Sequence, residues 1–236
     1  KTLSSLVYGQ EYSSQAELRT VYHAITGEAI AEATTTGLDF KAMLQFARQT
    51  GNPALRKMTF HERGRMMRAL ALYLTERKEK YYDISYATGA TRGDSWIDIE
   101  GGFGNLFGYA SLRRKLPDMP YTYDGEGHQL SKNGTFMGHH LLVPKEGVAV
   151  HINAFNFPCW GMLEKLAPTL LAGMPAIVKP ASQTAYLTEL MVRRMIETGL
   201  LPEGAVQLIA GSVGDLLDNV EGQDVVNFTG SASTGR

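Results

Sequence analysis

The chain has 236 residues, of which 44% are hydrophobic and 20% are charged, enough for one large or two small domains with a hydrophobic core. A formal net charge of −1, with only short basic clusters, argues against binding to nucleic acid or to an anionic membrane. Because the sequence has 1 cysteine and no apolar run of the roughly 18 residues that a membrane helix needs, we expect a cytoplasmic protein without disulfides.

The first 116 residues predict a hairpin followed by helices, to which we assign no chemistry. The alternating stretch VYHAITGEAIAEATT, with its turn at 26–28, is typical of a surface hairpin. Apolar residues at spacings of three and four then predict a helix over residues 37–49. Thr59 and Glu62 form a capping-box pair, which predicts the N-terminus of a stronger helix.

A third helical stretch, from about residue 94 to residue 116, contains the glycine-rich segment GGFGNLFG. Gly102, Gly104 and Gly108 suggest the phosphate-binding fingerprint of a dinucleotide fold. However, no strand precedes these glycines and the sequence continues as a helix, which is the wrong context for that fingerprint. We therefore interpret them as small residues that allow close packing between helices.

Residues 117–146 are rich in proline and glycine and contain an Asn133-Gly134 turn between two β-capable arms, a strong hairpin signal. The segment also carries three histidines, His128, His139 and His140. No Cys, Asp or Glu lies at a zinc spacing from these histidines, so we predict no metal site and interpret them as surface or interface residues.

From residue 147 onward, buried strands alternate with helices, which is typical of a doubly wound, mostly parallel sheet with right-handed crossovers. Strands are predicted at 148–155, 175–178, 205–210 and 224–228, with helices at 158–172 and 184–199 and a short helix after Gly214. The carboxyl edge of such a sheet is where ligands bind.

Polar or glycine residues follow each predicted strand at this edge. They are Asn156, the pair Lys179 and Ser182, and the segments GSVG at 211–214 and FTGSASTG at 228–235. The residue pattern leaves two interpretations of Asn156 open. Its amide can donate a hydrogen bond to an oxygen that gains negative charge during attack on a carbonyl, or its side chain can cap the following helix.

The segment NFP after a buried strand, followed by VKPAS at the end of the next strand, resembles the cofactor half of the aldehyde dehydrogenase superfamily. The variant NAFNFPCWGMLEKLAP resembles more particularly the dehydrogenase part of the bifunctional ring-opening proteins of phenylacetate degradation. The semialdehyde dehydrogenases of the benzoyl-CoA pathway are a neighbouring possibility. The resemblance covers nearly the whole chain and is strongest over residues 147–235.

This resemblance implies a piece of the aldehyde dehydrogenase fold with a Rossmann-like sheet. The implied division is an N-terminal hairpin and helical part at 1–116, a protruding hairpin at 117–146 and a cofactor-binding core at 147–236. In the resembled family, the protruding hairpin pairs across a subunit interface, so we expect a homo-oligomer. The residues alone are equally compatible with a surface ribbon.

The resemblance also implies roles at the sheet edge. Asn156 is the catalytic oxyanion donor, and the implied cofactor-binding residues are Ala154, Phe155, Lys179, Ser182, Gly211, Gly214, Gly230 and Ser231. Many NAD-preferring relatives have an acid at the position of Ser182. A hydroxyl beside Lys179 would accept the 2′-phosphate that a carboxylate repels, so we expect preference for NADP, or use of both NADP and NAD. A solvent-exposed serine without discrimination is the alternative.

Cys159, the only thiol, lies at a predicted helix N-terminus, where the pKa of a cysteine is often lowered. Its side chain is nevertheless expected to enter the helix packing. In the resembled family, the nucleophilic cysteine and the general-base glutamate come from a later segment. We therefore expect Cys159 to be a small buried residue and not the nucleophile.

The chain begins at Lys1 without methionine and stops at Arg236, where a helix should be starting, so we expect it to be a fragment that does not turn over substrate by itself. The resemblance implies a parent enzyme that oxidises an aldehyde, carrying a CoA thioester, to the acid through a cysteine thioester, with hydride passing to NADP or NAD. The alternatives are a non-catalytic nucleotide-binding module and a CoA-acylating aldehyde dehydrogenase.

Overall fold

The computed structural model describes all 236 residues. Its strands and α-helices are β1 (Ser5–Val7), β2 (Gln10–Tyr12), β3 (Arg19–Tyr22), β4 (Ala29–Ala33), α1 (Phe40–Phe46), α2 (Asn52–Lys57), α3 (Phe60–Thr75), α4 (Lys78–Ser85), α5 (Arg92–Leu112), β5 (Thr122–Tyr123), β6 (His128–Gln129), β7 (Met137–Gly138), β8 (Leu141–Leu142), β9 (Ala149–Ile152), α6 (Trp160–Leu171), β10 (Ala176–Lys179), α7 (Ala185–Glu197), β11 (Val206–Leu208) and β12 (Val225–Phe228). A π-helical turn lies at Ala47–Gly51, and 3₁₀ turns lie at Tyr86–Thr88, Arg113–Lys115, Ser182–Thr184 and Leu216–Asn219.

A six-stranded sheet in the order β12-β9-β10-β11-β1-β2 forms the centre of the structure. The strands β12, β9, β10 and β11 are parallel, which confirms the predicted mostly parallel sheet. The strand β1 pairs antiparallel with β11, and β2 pairs antiparallel with β1. These two strands were not predicted, because three residues are too few to show a periodic pattern.

The strand β9 ends at Ile152, so the predicted strand 148–155 is too long. Its last paired residue is Ile152, opposite Lys179 of β10 and Phe228 of β12. The prediction extended the strand to Phe155 because this residue is apolar, but Phe155 is 61% exposed and does not belong to the sheet. Asn156 therefore lies in a loop beyond the sheet and not directly after the strand.

Helices cover both faces of the sheet, as expected for a doubly wound fold. On one face, Val178 and Leu208 pack with α3, α5, α6 and α7, and this core also contains apolar residues of the hairpin formed by β3 and β4. On the other face, Val150, Ile177 and Ile209 pack with α1 and the turn Leu216–Asn219. Neighbouring residues of one strand thus belong to different cores, because successive side chains point to opposite faces.

The predicted capping box at the start of α3 is present. The hydroxyl of Thr59 accepts a hydrogen bond from the backbone N–H of Glu62 at 3.1 Å, and the Glu62 carboxylate accepts one from the backbone N–H of Thr59 at 2.8 Å. A second capping box, formed by Thr91 and Asp94, begins α5. The predicted helix 37–49 is shorter than expected, since α1 ends at Phe46 and continues as the π-helical turn.

The glycines of α5 have two different environments. Gly102 packs closely on Leu163 and on the backbone of Trp160 in α6, as predicted. For Gly104 and Gly108 the prediction of close packing is wrong, because a Cβ atom at either position would meet nothing within 4 Å. Both residues are exposed, so they lie on the side of α5 turned away from the core.

Residues 117–146 form the predicted hairpin, with β5 paired to β8 and β6 paired to β7. Gly134 has a positive φ of 68°, and its N–H donates to the carbonyl of Ser131 at 3.2 Å. Exposed apolar side chains of this hairpin include Leu130, Phe136 and Val143.

Candidate active site

The carboxyl ends of the parallel strands bring the residues that follow β9 and β10 to one edge of the sheet. The backbone N–H of Asn153 donates to the carbonyl of Lys179 at 3.0 Å, which joins the loop after β9 to the end of β10. On the other side, the N–H of Thr229 donates to the carbonyl of Ile152 at 2.9 Å. The predicted groups after β9, β10 and β12 therefore lie along the same edge.

The loop that carries Asn156 is held through its backbone and leaves its side chains free. The hydroxyls of Thr184 and Thr188 donate to the carbonyls of Phe155 and Pro158, at 3.3 and 3.4 Å. Phe155, Asn156 and the next residue are exposed, and the Asn156 carboxamide takes part in none of the loop's hydrogen bonds. This amide is free to bind a group outside the described chain.

The first turn of α6 is capped by Asp98 of α5 and not by Asn156. One oxygen, Oδ1 of Asp98, accepts hydrogen bonds from the backbone N–H groups of Cys159 at 3.0 Å and Trp160 at 2.7 Å. Burial raises the pKa of Asp98 to about 6, although these N–H donors act in the opposite direction. The interpretation of Asn156 as a cap for the following helix is therefore wrong.

Cys159 is fully buried, which confirms the expected small core residue. Burial, together with the neighbouring carboxylate of Asp98, raises the pKa of its thiol well above the ordinary value. The thiolate is the nucleophilic form of cysteine, so this environment keeps the side chain in its unreactive form at neutral pH.

Lys179 presents a half-buried cation at the sheet edge. Burial lowers the pKa of its ammonium group, and no carboxylate counteracts this effect. Ser182 begins a 3₁₀ turn three residues later and is also half-buried. An ammonium group without an acidic partner suits ribose hydroxyls or a phosphate. The residues present at this edge thus fit a nicotinamide dinucleotide.

Gly211 and Gly214 are required by contacts inside the chain. A Cβ at Gly211 would lie 2.8 Å from Cγ2 of Thr35. At Gly214, φ is +51° and a Cβ would lie 2.3 Å from the ring of Phe40. Packing against Thr35 and α1 therefore explains both glycines, and their contact with the adenosine end of a cofactor stays a prediction.

Gly230 and Ser231 lie in the turn that follows β12. A Cβ at Gly230 would lie 2.5 Å from the ring of Phe228. The carbonyl of Ser231 accepts hydrogen bonds from the N–H groups of Thr234 and Gly235, each at 3.1 Å. A role of this turn in binding pyrophosphate also stays a prediction.

Asn153 was not identified from the sequence as a site residue. Its side chain is buried, and neither the oxygen nor the nitrogen of its carboxamide has a hydrogen-bond partner. Buried polar groups are nearly always paired, so this residue requires an explanation beyond folding. The only sequence signal was its position directly after a predicted buried strand.

A shallow groove of about 340 Å³ runs along the exposed glycine side of α5 and is closed at one side by α6. Its lining residues are Gly101, Gly104, Asn105, Gly108, Tyr109, Leu112 and Trp160. Trp160 belongs to the first turn of α6, four residues after Asn156.

Two classes of feature are absent from the described chain. No group of three or more His, Cys, Asp or Glu side chains is placed to hold a metal ion. None of the helices combines the length and the apolar character that a membrane crossing requires.

Known proteins match nearly the whole chain. A 3,4-dehydroadipyl-CoA semialdehyde dehydrogenase from Aromatoleum evansii is 42% identical over 233 residues, which is 98% of this chain and 45% of that protein. A D-glyceraldehyde dehydrogenase (NADP(+)) from Picrophilus torridus is 28% identical and matches 95% of this chain and 44% of that protein. The chain thus spans about half the length of the curated relatives it matches.

Solved structures show the same fold. The NADP-dependent glyceraldehyde-3-phosphate dehydrogenase from Bacillus halodurans, complexed with NADP, superposes with a TM-score of 0.79 at 23% identity and covers 100% of this chain and 49% of its own. An NAD-dependent benzaldehyde dehydrogenase from Corynebacterium glutamicum has a TM-score of 0.79 at 21% identity, covering 99% of this chain and 51% of its own. The family model "Aldehyde dehydrogenase family" matches residues 11–236, and the chain belongs to this family.

Proposed function

We propose that the chain is the cofactor-binding part of an NAD(P)-dependent enzyme that oxidises an aldehyde carrying a CoA thioester to the carboxylic acid. One observation carries the proposal. The Asn156 carboxamide is exposed and unpaired in the loop between β9 and α6, while Asp98 performs the helix-capping task that would otherwise explain an asparagine there.

Asn156 contributes to the reaction by stabilising negative charge. A cysteine thiolate from sequence outside the 236 residues attacks the aldehyde carbonyl, and the carbonyl oxygen becomes an oxyanion. The Asn156 amide donates a hydrogen bond to this oxygen, a contact worth about 2.7–4 kcal/mol in transition-state stabilisation. Once hydride has passed to a bound nicotinamide cofactor, the oxyanion would become a cysteine thioester, and a glutamate, also outside these residues, activates the water that hydrolyses this cysteine thioester. Alone, the chain binds nucleotide at best.

The cofactor lies along the carboxyl edge of the sheet. A bound nicotinamide dinucleotide supplies the hydride acceptor for the oxidation. Lys179 and Ser182 hold the adenosine ribose or its 2′-phosphate, and the remaining contacts come from Ala154, Phe155, Gly211, Gly214, Gly230 and Ser231. The uncharged Ser182 beside Lys179 supports a preference for NADP, or the use of both cofactors. The Picrophilus torridus relative, named for NADP(+), is compatible with this choice.

The proposed substrate class rests on the relative that shares 42% identity with this chain and is named for a CoA-linked semialdehyde. Two aromatic-degradation substrates are candidates. The phenylacetate ring-opening semialdehyde is favoured by the NAFNFPCWGMLEKLAP segment, and 3,4-dehydroadipyl-CoA semialdehyde is favoured by the name of that relative.

We further propose that residues 1–116 support the cofactor core at 147–236 and that the hairpin at 117–146 pairs across the interface of a homo-oligomer in the cytoplasm. The exposed Leu130, Phe136 and Val143 support an interface on this hairpin, because exposed apolar side chains that lie close together favour association.

The test is the variant Asn156→Ala in the full-length enzyme, assayed with an aldehyde that carries a CoA thioester. We expect kcat to fall about 100- to 1000-fold, with little change in cofactor binding. The melting temperature should not change, since the side chain is exposed. Asn219→Ala is the matched control, because its amide bonds only to the carbonyl of Asp215.

An unchanged kcat in Asn156→Ala would contradict the proposed oxyanion role. Release of the acyl group to CoA instead of water would identify a CoA-acylating dehydrogenase. Nucleotide binding by the full-length protein without any aldehyde oxidation would identify a non-catalytic module.

A further inference from the structure

We propose that Asp98 is a positioning residue for Asn156, because it fixes the first turn of α6 and thereby the loop that holds the oxyanion-binding amide. This inference rests on the proposed function and extends it to a residue on a different helix. Asp98 touches no reacting atom in this proposal and acts only through the backbone.

Asp98 replaces a cap that α6 lacks. The residue before α6, Cys159, provides no side-chain capping bond. Instead, Oδ1 of Asp98 accepts from the N–H groups of Cys159 and Trp160, at 3.0 and 2.7 Å. Hydrogen bonds from backbone N–H groups to a carboxylate are roughly twice as strong as those between neutral partners. The carboxylate thus ties α5 to the N-terminus of α6.

Few residues separate this anchor from the proposed oxyanion donor. Only Phe157 and Pro158 lie between Asn156 and Cys159, and the proline ring fixes the backbone angle φ of one of them. The carbonyl of Phe157 accepts a hydrogen bond from the N–H of Gly161 in α6 at 2.8 Å, so the loop follows the first turn of that helix, and the hydroxyls of Thr184 and Thr188 add longer hydrogen bonds at 3.3 and 3.4 Å. A shift of the Cys159 backbone would therefore move the Asn156 amide.

A carboxylate at position 98 is unfavourable for folding in one respect, because its charge is buried without a cation to pair with. The Asp98 side chain is buried and forms no ion pair; the groups that face it are the two amides and the thiol of Cys159. Tyr81 of α4 lies beyond that thiol, and its hydroxyl is itself buried and unpaired. Burial raises the pKa of Asp98 to about 6 and so works against the ionised form, which is the form that the stronger helix cap needs.

The experiment compares Asp98→Asn with the wild type in the full-length enzyme. The asparagine keeps the shape and one acceptor oxygen but loses the charge. We expect kcat to fall about tenfold with an unchanged KM for the cofactor, and the melting temperature to stay equal or rise. Hydrogen exchange at the amides of Cys159 and Trp160 should become faster.

The pH profile separates positioning from a purely structural role. The kcat of the wild type should fall as the pH decreases through about 6, toward the value of Asp98→Asn, and this step should be missing in the variant. Glu100→Gln is the matched control on the same helix, because its carboxylate bonds to Tyr82 and Lys78 of α4. It should change neither the amide exchange of α6 nor the pH step.

An unchanged kcat in Asp98→Asn, despite faster exchange of the two amides, would overturn the inference. If Asp98→Asn does not fold, Asp98→Glu decides the question, since it keeps the charge but displaces the oxygen by one methylene group. A wild-type kcat in that variant would overturn the inference, and a lowered kcat at unchanged melting temperature would support it. Failure of the wild type to oxidise any aldehyde would reject the proposed function before any variant is made.

Discussion

The guanidinium of Arg48 and the carboxylate of Asp224 form a buried ion pair between the π-helical turn after α1 and the start of β12. Only 1% of the Asp224 side chain and 14% of the Arg48 side chain are exposed. The Asp224 carboxylate also accepts hydrogen bonds from the N–H groups of Val148 at 2.9 Å and Glu221 at 2.7 Å. One carboxylate thus joins the starts of β9 and β12, at the edge of the sheet opposite to Asn156.

Replacing Asp224 with asparagine should destabilise the fold by about 3 kcal/mol, because Arg48 would lose its buried partner and keep only the exposed carboxylate of Glu221. Denaturant unfolding of both proteins measures this loss. The control is Glu146→Gln, which removes the exposed partner of Arg56 and should change the free energy of unfolding by about 1 kcal/mol or less. Equal effects of the two substitutions would contradict the prediction.

The same ion pair should make the stability of the fold depend on pH in the acid range. Burial alone would raise the pKa of Asp224, but the bonds from Arg48 and from the two amides outweigh it and hold the pKa below the ordinary 3.8. The unfolded chain then binds more protons than the folded chain near this pH, so the stabilisation is present above about pH 4 and is lost as the pH falls through the lower folded value. The melting temperature of Asp224→Asn should therefore vary less between pH 5 and pH 3 than that of the wild type.

The glycines of α5 should differ in their response to alanine. At Gly104 and Gly108 a Cβ would meet nothing within 4 Å, so each alanine variant should gain up to about 1 kcal/mol from helix propensity. At Gly101 a Cβ would lie 2.3 Å from the Trp160 ring, so the same change should destabilise the fold. Thermal unfolding of the three variants checks the sign of each effect. Destabilisation by Gly104→Ala would contradict the prediction, because it would mean that another group packs against α5 at Gly104.

Cys159 should be inert toward thiol reagents in the native chain. The chain contains a single cysteine, so the rate at which a thiol reagent labels this chain measures the reactivity of Cys159 alone. Complete burial and a raised pKa both slow the reaction, and denaturant should restore it. Rapid labelling of the native chain at neutral pH would contradict the assigned environment.

The features that were predicted from the sequence have local causes. The capping box of Thr59 and Glu62 involves residues three positions apart, and the turn at Asn133-Gly134 depends on a dipeptide. The strand-helix alternation after residue 147 appeared because buried parallel strands are continuous apolar runs.

The features that were missed depend on contacts between distant residues. Asp98 meets Cys159 and Trp160 across 61 and 62 positions, and Leu6 of β1 pairs with Leu208 of β11. A short window of sequence does not predict which distant residue such a side chain or strand contacts. The length of β9 was overestimated for a related reason, because the apolar Phe155 is exposed in the loop after it.

The cofactor preference is tested by Ser182→Glu in the full-length enzyme. A carboxylate at this position would repel a 2′-phosphate but could accept hydrogen bonds from ribose hydroxyls. We therefore expect the Kd for NADP to rise about 10- to 100-fold, equivalent to about 1.4–2.7 kcal/mol, while the Kd for NAD stays equal or falls. The control is Gln183→Glu, which adds the same charge at the neighbouring exposed residue and should affect both cofactors weakly. Equal weakening of NADP and NAD by Ser182→Glu would show that the serine does not discriminate between them, and Lys179 would then remain as the proposed contact common to both cofactors.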